Sequence, residues 1–174
     1  MPAGWTCISI NEEAAHGVPG DRVTRADDML NVDVSTELDG YFADTGATTV
    51  VPPTSARKTR LCPAARAALA QAMERARAGQ PLNGIGTAIE KTATAHGFRV
   101  IRNLGSHGIV HALHEAPEHI PGYEDPSDRR VLHDGMVITI EPFLSTKSRV
   151  VEETSDGWTL AGCAATCRRS TSTR

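Results

Sequence analysis

The sequence predicts an α+β domain, and three observations carry that expectation. Residues 29–51 alternate apolar and polar side chains on either side of an Asp-Gly turn, as an antiparallel hairpin does. Residues 56–95 then switch to helical spacing. Strand-like runs return at Phe98-Arg99-Val100-Ile101 and Met136-Val137-Ile138-Thr139-Ile140-Glu141-Pro142. Strands and helices therefore fall in blocks rather than in strict alternation, which separates α+β from a doubly wound parallel sheet. At 174 residues the chain is long enough for one domain with a real core.

The elements follow in order. Thr6-Cys7-Ile8-Ser9-Ile10 reads as a strand, and Asn11-Glu12-Glu13-Ala14-Ala15-His16-Gly17 as a short helical turn closed by glycine. Val18-Pro19-Gly20-Asp21 is a loop. In the hairpin, Val32 and Val34 face away from Asn31, Asp33 and Ser35. Leu38-Asp39-Gly40-Tyr41 makes the turn, and Val51-Pro52-Pro53 stops the return strand. The first helix, 56–78, places Leu61, Ala65, Leu69, Ala72, Met73 and Ala76 on one stripe. Gly79 ends it, and a second helix runs from about Pro81 to Ala95 before Gly97. Residues 103–122 read as loop, rich in Gly and Pro and carrying four histidines. His133-Asp134-Gly135 is a turn before the strand that ends at Pro142. From Ala161 onward the sequence has no period and little bulk, so the domain is expected to span 1–160 and residues 161–174 to lack regular structure.

Composition removes several function classes. The net charge of −3 makes no electrostatic case for nucleic acid or an anionic membrane. Aromatic residues are only 4%, too few for a base-stacking surface. No apolar run reaches the length of a bilayer span, and the start has no signal-peptide pattern. Cys7, Cys62, Cys163 and Cys167 are too few for a disulfide scaffold, so a reducing, cytoplasmic setting is the expectation.

Chemistry is suggested first by Asp33 and Asp44. The turn carries Asp44 back beside Asp33, and two carboxylates converging on one sheet face call for a cation. Two solvated edge residues would be the plainer explanation of that segment alone. Ser106-His107-Gly108 sets an imidazole beside a glycine, where backbone can come close to a ligand. Leu113-His114-Glu115 carries another imidazole, and Glu141 ends a very apolar strand, where a carboxylate needs a partner or a proton. Each of these taken singly is better explained as a satisfied structural residue.

In order along the chain they resemble a known family. Residues 7–21 (from Cys7 through His16 to Asp21), Asn31-Val32-Asp33-Val34-Ser35, Tyr41-Phe42-Ala43-Asp44-Thr45, Ser106-His107-Gly108-Ile109, Leu113-His114-Glu115, Gly135 to Pro142 and Asp156-Gly157-Trp158-Thr159 together look like a type I methionine aminopeptidase of the M24 metallopeptidases. The resemblance covers about residues 5–160. It implies a pita-bread (creatinase/aminopeptidase) fold, here incomplete, and a hydrolase that removes the initiator methionine using a water activated by two divalent ions (Co, Mn, Fe or Zn). By position it implies Asp33, Asp44, His107 and Glu141 as metal ligands, with Asp44 bridging. It implies His16, His114 and Glu141 in catalysis, and His16, His114, Cys7 and Trp158 against the substrate. Its partners would be nascent polypeptide amino termini, with the ribosome nearby, and the chain would be a monomer in the cytoplasm.

The sequence departs from that pattern in places. A further Glu ligand should follow Trp158 in a Ser-Ala-Gln-Tyr-Glu-His-Thr-like strand, but residues 159–174 contain no Glu. Val110 and His111 replace the usual small and polar residues, and His107 and His111 share a zinc-like spacing without the helix or the Glu of a zincin. Leu113 replaces a pocket aromatic. The match begins almost at Cys7, so an amino-terminal covering segment is expected to be missing. The expectations are an impaired enzyme, or else an inactive fragment or peptide-binding module, with an open sheet edge and poor solubility. Read one frame over, the codons of residues 165–174 permit Asn-Leu-Ser-Ala-Gln-Tyr-Glu-His-Thr. This predicts that the coding DNA spells the missing Glu across Thr171 and Ser172; codons there that cannot be regrouped in this way would rule out a frameshift.

Overall fold

The computed structural model describes residues 4–162. Strand β1 (Gly4–Ile10) leads into β2 (Glu13–Ala15), followed by β3 (Met29–Leu38) and β4 (Tyr41–Val50). Helices α1 (Ala56–Arg75) and α2 (Asn83–Ala95) come next. The remainder is β5 (Arg99–Val100), β6 (Gly105–Gly108), β7 (Glu115–Pro121), β8 (Leu144–Ser145), β9 (Val151–Glu153) and β10 (Leu160–Gly162). The strands group antiparallel as β1-β3-β4, β2-β10-β9, β5-β8 and β6-β7.

The β3–β4 hairpin forms as expected. Asp39 (φ 53°) and Gly40 (φ 83°) both take left-handed backbone, the requirement of a two-residue type I′ turn whose twist matches the strands. Register follows from that turn: Ser35 lies opposite Asp44, Asp33 opposite Gly46, and on the other side Cys7 opposite Asp33. Asn31, Asp33 and Ser35 occupy the more sheltered face, while Val32 and Val34 stand on the exposed one. The sheet thus turns its valines outward and its carboxylates inward, the reverse of a simple core-facing strand.

The two helices supply the main core. Ala68 and Ala72 of α1 pack with Ile85, Ile89 and Ala93 of α2, together with Leu82, Val100, Ile120 and Leu132. The stripe expected on α1 is rotated in part: Leu61 and Ala72 are buried as expected, Ala64 and Ala68 are buried beside them, while Met73 is 59% exposed and Leu69 only half-buried. Small residues on α1 let its backbone approach the branched Ile85 and Ile89 of α2, so the contact selects size complementarity over hydrophobicity. Gly86 answers the same constraint, since a Cβ there would lie 2.3 Å from the carbonyl oxygens of Pro121 and Tyr123.

Other expectations are corrected. Residues 11–17 form no helical turn: Asn11 is left-handed (φ 61°), and Glu13–Ala15 pairs as β2 with β10, some 145 positions downstream (Ala15 opposite Leu160). Residues 103–122 are mostly not loop; β6 and β7 pair across a bulge. The glycine beside His107 serves that hairpin rather than a ligand, because a Cβ on Gly108 would sit 2.3 Å from the Ala116 carbonyl. Val110 is not among the residues with positive φ, so its branching is accommodated. Residues 136–142 make a single bridge, Gly108 to Ile138, instead of a full strand, because side-chain hydroxyls replace ladder bonds on either side of it. Ala161 and Gly162 complete β10, so residue 160 falls inside a strand; the rest of the expected tail lies outside the described residues.

Truncating Ile89 to Ala should cost about 2–5 kcal/mol of unfolding free energy, whereas Met73→Ala should stay within about 0.5 kcal/mol. Urea denaturation of both variants checks this; equal losses would restore the stripe read from the sequence.

Candidate metal centre

The inner face of β1-β3-β4 meets the β6–β7 hairpin and the 136–142 segment at a cluster of titratable groups. His107, 5% exposed on β6, points Nε2 at Glu141 Oε1 (3.2 Å) and at Asp44 Oδ2 (3.9 Å). Ligand atoms of Asp44, His107 and Glu141 all lie within 4.8 Å of one another. Asp33 joins them through a hydrogen bond shared with Asp44, whose Oδ1 also accepts from Ser35 Oγ at 3.3 Å. His107 Nδ1 donates to the Gly108 carbonyl (3.0 Å), which fixes the ring and turns Nε2 toward the carboxylates.

Electrostatics follow from this crowding. Burial, then the hydrogen bond and charge of Asp44, then Glu141, push Asp33 up to about 7, opposed only by His107. Burial disfavours charge on His107, but Glu141, the Gly108 carbonyl and Asp44 outweigh it and raise its pKa. His114 stacks on His107 with centroids 4.0 Å apart, and loss of water together with the charge of His107 lowers its pKa. Cys7, across from Asp33, is raised by burial and by the two aspartates, partly offset by a hydrogen bond from Trp158.

His16 and Trp158 form the far wall. Their rings stack at 5.6 Å, and His16 holds a left-handed backbone (φ 57°), strained for a residue other than glycine. Trp158 is oriented by a turn built on Asp156. The Asp156 carboxylate accepts from the amides of Trp158 and Thr159 and from the hydroxyls of Thr154 and Thr159, which holds its pKa well below the usual carboxylate range. Reading the sequence missed Asp156, Ser106 and Thr139. The signals for them were their neighbours: Asp156 stands two residues before Trp158, Ser106 adjoins His107, and Thr139 shares a strand face with Glu141. His111 takes no part; exposed, it donates Nδ1 to Gly40 O (3.0 Å) and stacks on Tyr41.

The donor set fits a divalent cation. Carboxylates and an imidazole are the ligands that Mn, Fe, Co and Zn accept, and clustered carboxylates that must otherwise hold a proton are relieved by positive charge. A 3.2 Å gap between Nε2 and Oε1 is one that two donors about 2.1 Å from a common ion can have.

Such a cluster, at the meeting of a hairpin and a neighbouring segment, is a candidate metal centre. The model of metallopeptidase family M24 matches residues 2–166, and the chain belongs to that family. Within it, the chain is similar to methionine aminopeptidases. It is 43% identical to methionine aminopeptidase 2 of Bacillus subtilis over 157 residues, which is 90% of this chain and 63% of that protein. It is 45% identical to the methionine aminopeptidase of Staphylococcus epidermidis, over 89% of this chain and 62% of that one. The methionine aminopeptidase structure from Thermotoga maritima superposes with a TM-score of 0.86 at 35% identity, covering 90% of this chain and 63% of that one. A prolidase from Pyrococcus horikoshii superposes with a TM-score of 0.68 at 26% identity, over 79% of this chain and 39% of that one. The fold is the pita-bread fold expected from the sequence. The chain spans about 63% of the length of the curated relatives it matches. No helix among the described residues is long and apolar enough to cross a membrane.

The Asp33 shift sets a pH dependence for metal-free protein. Its folded pKa lies above the ordinary value of 3.8, so the folded state binds the extra proton between about pH 4 and pH 7 and loses stability as pH rises through that window. With chelator present, the melting temperature should fall from pH 5 to pH 8, and Asp33→Asn should flatten that fall. A wild-type melting temperature that rises over the same range would contradict this protonation.

Proposed function

We propose that this chain carries the reaction centre of a metal-dependent aminopeptidase that removes amino-terminal methionine from polypeptides. The observation behind this reading is the convergence of Asp44, His107 and Glu141, with Asp33 bonded alongside and His114 stacked over the cluster. Asp33, Asp44, His107 and Glu141 are the residues to hold two divalent ions. Such ions, when bound, supply Lewis acidity that polarises the scissile carbonyl and makes a water acidic enough to attack at neutral pH.

The protein's own groups do the rest. Glu141 accepts the proton of the attacking water and passes it to the leaving amine. His114, kept neutral by its surroundings, donates a hydrogen bond to the oxygen that gains charge at the carbonyl. His16, held at an unusual backbone angle, contacts the scissile amide. Trp158 and Cys7, which touch one another, wall an apolar pocket for the methionine side chain, where a polarizable sulfur contact is favourable.

The Glu absent from residues 159–174 bears on the second ion. One fewer carboxylate leaves two cations less well neutralised, so this chain turns over slowly. That same absence favours a second reading, a pita-bread unit that binds peptide amino termini without cleaving them. Nascent polypeptides in the cytoplasm, near the ribosome, are the proposed partners, met by a monomer.

Given Met-Gly-Met and added Mn or Co, the chain should release methionine slowly. Chelator, or His107→Ala, should abolish that release. Chelator-insensitive release would sink the metallopeptidase reading, whereas metal binding without turnover would favour the binding module.

A further inference from the structure

We propose that Thr139, supported by Ser106, is the positioning residue that sets His107 and Glu141 at metal-binding distance from one another. This rests on the reading of that pair as ligands. Both hydroxyl residues are buried, Ser106 at 1% and Thr139 at 9% exposure. Each lies one or two positions from one ligand and hydrogen-bonds to the other.

The backbones of β6 and of residues 136–142 run side by side, but regular pairing stops after a few contacts. Thr139 N donates to His107 O (2.8 Å) and Ile109 N to Val137 O (3.2 Å). The donors that a continued ladder would use go to side chains instead. His107 N donates to Thr139 Oγ1 (3.1 Å), and Glu141 N donates to Ser106 Oγ (2.8 Å). Both links run from the backbone of one ligand residue to a hydroxyl on the opposite segment.

Thr139 makes a second connection. A hydroxyl has one proton and two lone pairs. Its proton goes to Glu141 Oε1 at 2.6 Å, the length of a charge-assisted bond, rather than to His107 O at 3.4 Å. One oxygen atom therefore holds the backbone of His107 and the carboxylate of Glu141 together. The carboxylate oxygen that Thr139 grips is the one facing His107 Nε2 at 3.2 Å. Removing the hydroxyl frees Glu141 to rotate toward solvent, while the strand contacts of Thr139 and Ile109 remain. Hydrogen bonds of this kind, behind the ligands, typically change metal affinity 10–100-fold.

The test compares Thr139→Val, which keeps the shape and loses the hydroxyl, with Thr139→Ser, which keeps the hydroxyl. Mn affinity by calorimetry should weaken about 10–100-fold in T139V and stay within about 3-fold of wild type in T139S. In Glu141→Gln background the same T139V change should have little further effect, because the carboxylate it positions is gone. A folded T139V with wild-type Mn affinity would overturn the proposal, as would T139S behaving like T139V. If wild-type chain binds no Mn, the metal reading itself fails, and a metal-free readout decides the positioning. In crystals of metal-free protein, the approach of Glu141 Oε1 to His107 Nε2 should be present in wild type and T139S and absent in T139V. Its persistence in T139V removes the positioning role.

Discussion

The register of the β3–β4 hairpin is the constraint on which the rest of the site depends. A two-residue turn at Asp39 and Gly40 leaves the strands no slack, so Ser35 must face Asp44 and Asp33 must lie diagonally beside it. A slip of β3 by one residue would send Asp33 to the outer face and bring Val32 and Val34 inward. That alternative would bury more apolar surface. The register that forms instead concentrates negative charge, and the consequence is visible in Asp33, which keeps a proton to near neutrality. A cation placed among these carboxylates would offset that crowding of negative charge.

The second half of the site is supplied by a different part of the core. α1 and α2 pack alanines against isoleucines, and that layer supports β5 and β7; β7 in turn positions β6 and His107. Thr139 and Ser106 then tie β6 to the segment ending in Glu141. Hydrophobic packing sets the approach to within a side chain's reach, and hydroxyl hydrogen bonds complete the alignment. The division is physical: dispersion and burial have little directionality, whereas a 2.6 Å hydrogen bond to a carboxylate specifies one rotamer.

Much of the architecture was legible because it is encoded locally. The Asp-Gly turn, the alternation on either side of it and the glycine that closes α2 identify the hairpin and the second helix without any partner. The ordered matches from Cys7 to Trp158 were legible as well, since each is a short run of residue types that is read without any partner. Elements that exist only through distant partners were not legible. β2 forms because Leu160 and Ala161 pair with it; residues 11–17 alone favour a helical turn. The buried face of α1 depends on the bulk of α2, so Ala64 and Ala68 are buried while the more hydrophobic Met73 is exposed.

The sequence by itself determined the family, the fold class and the identity of the clustered acids and imidazoles, because these depend on residue type and short-range order. It also determined that residues 159–174 contain no Glu. Tertiary structure alone decided that His107 leans on Glu141 and Asp44 and that Asp33 is hydrogen-bonded to Asp44 across the hairpin. Those are relations between side chains separated by up to 63 residues along the chain, as Asp44 and His107 are. Electrostatic and hydrogen-bond energies vary steeply with distance and direction, and only the folded backbone specifies either.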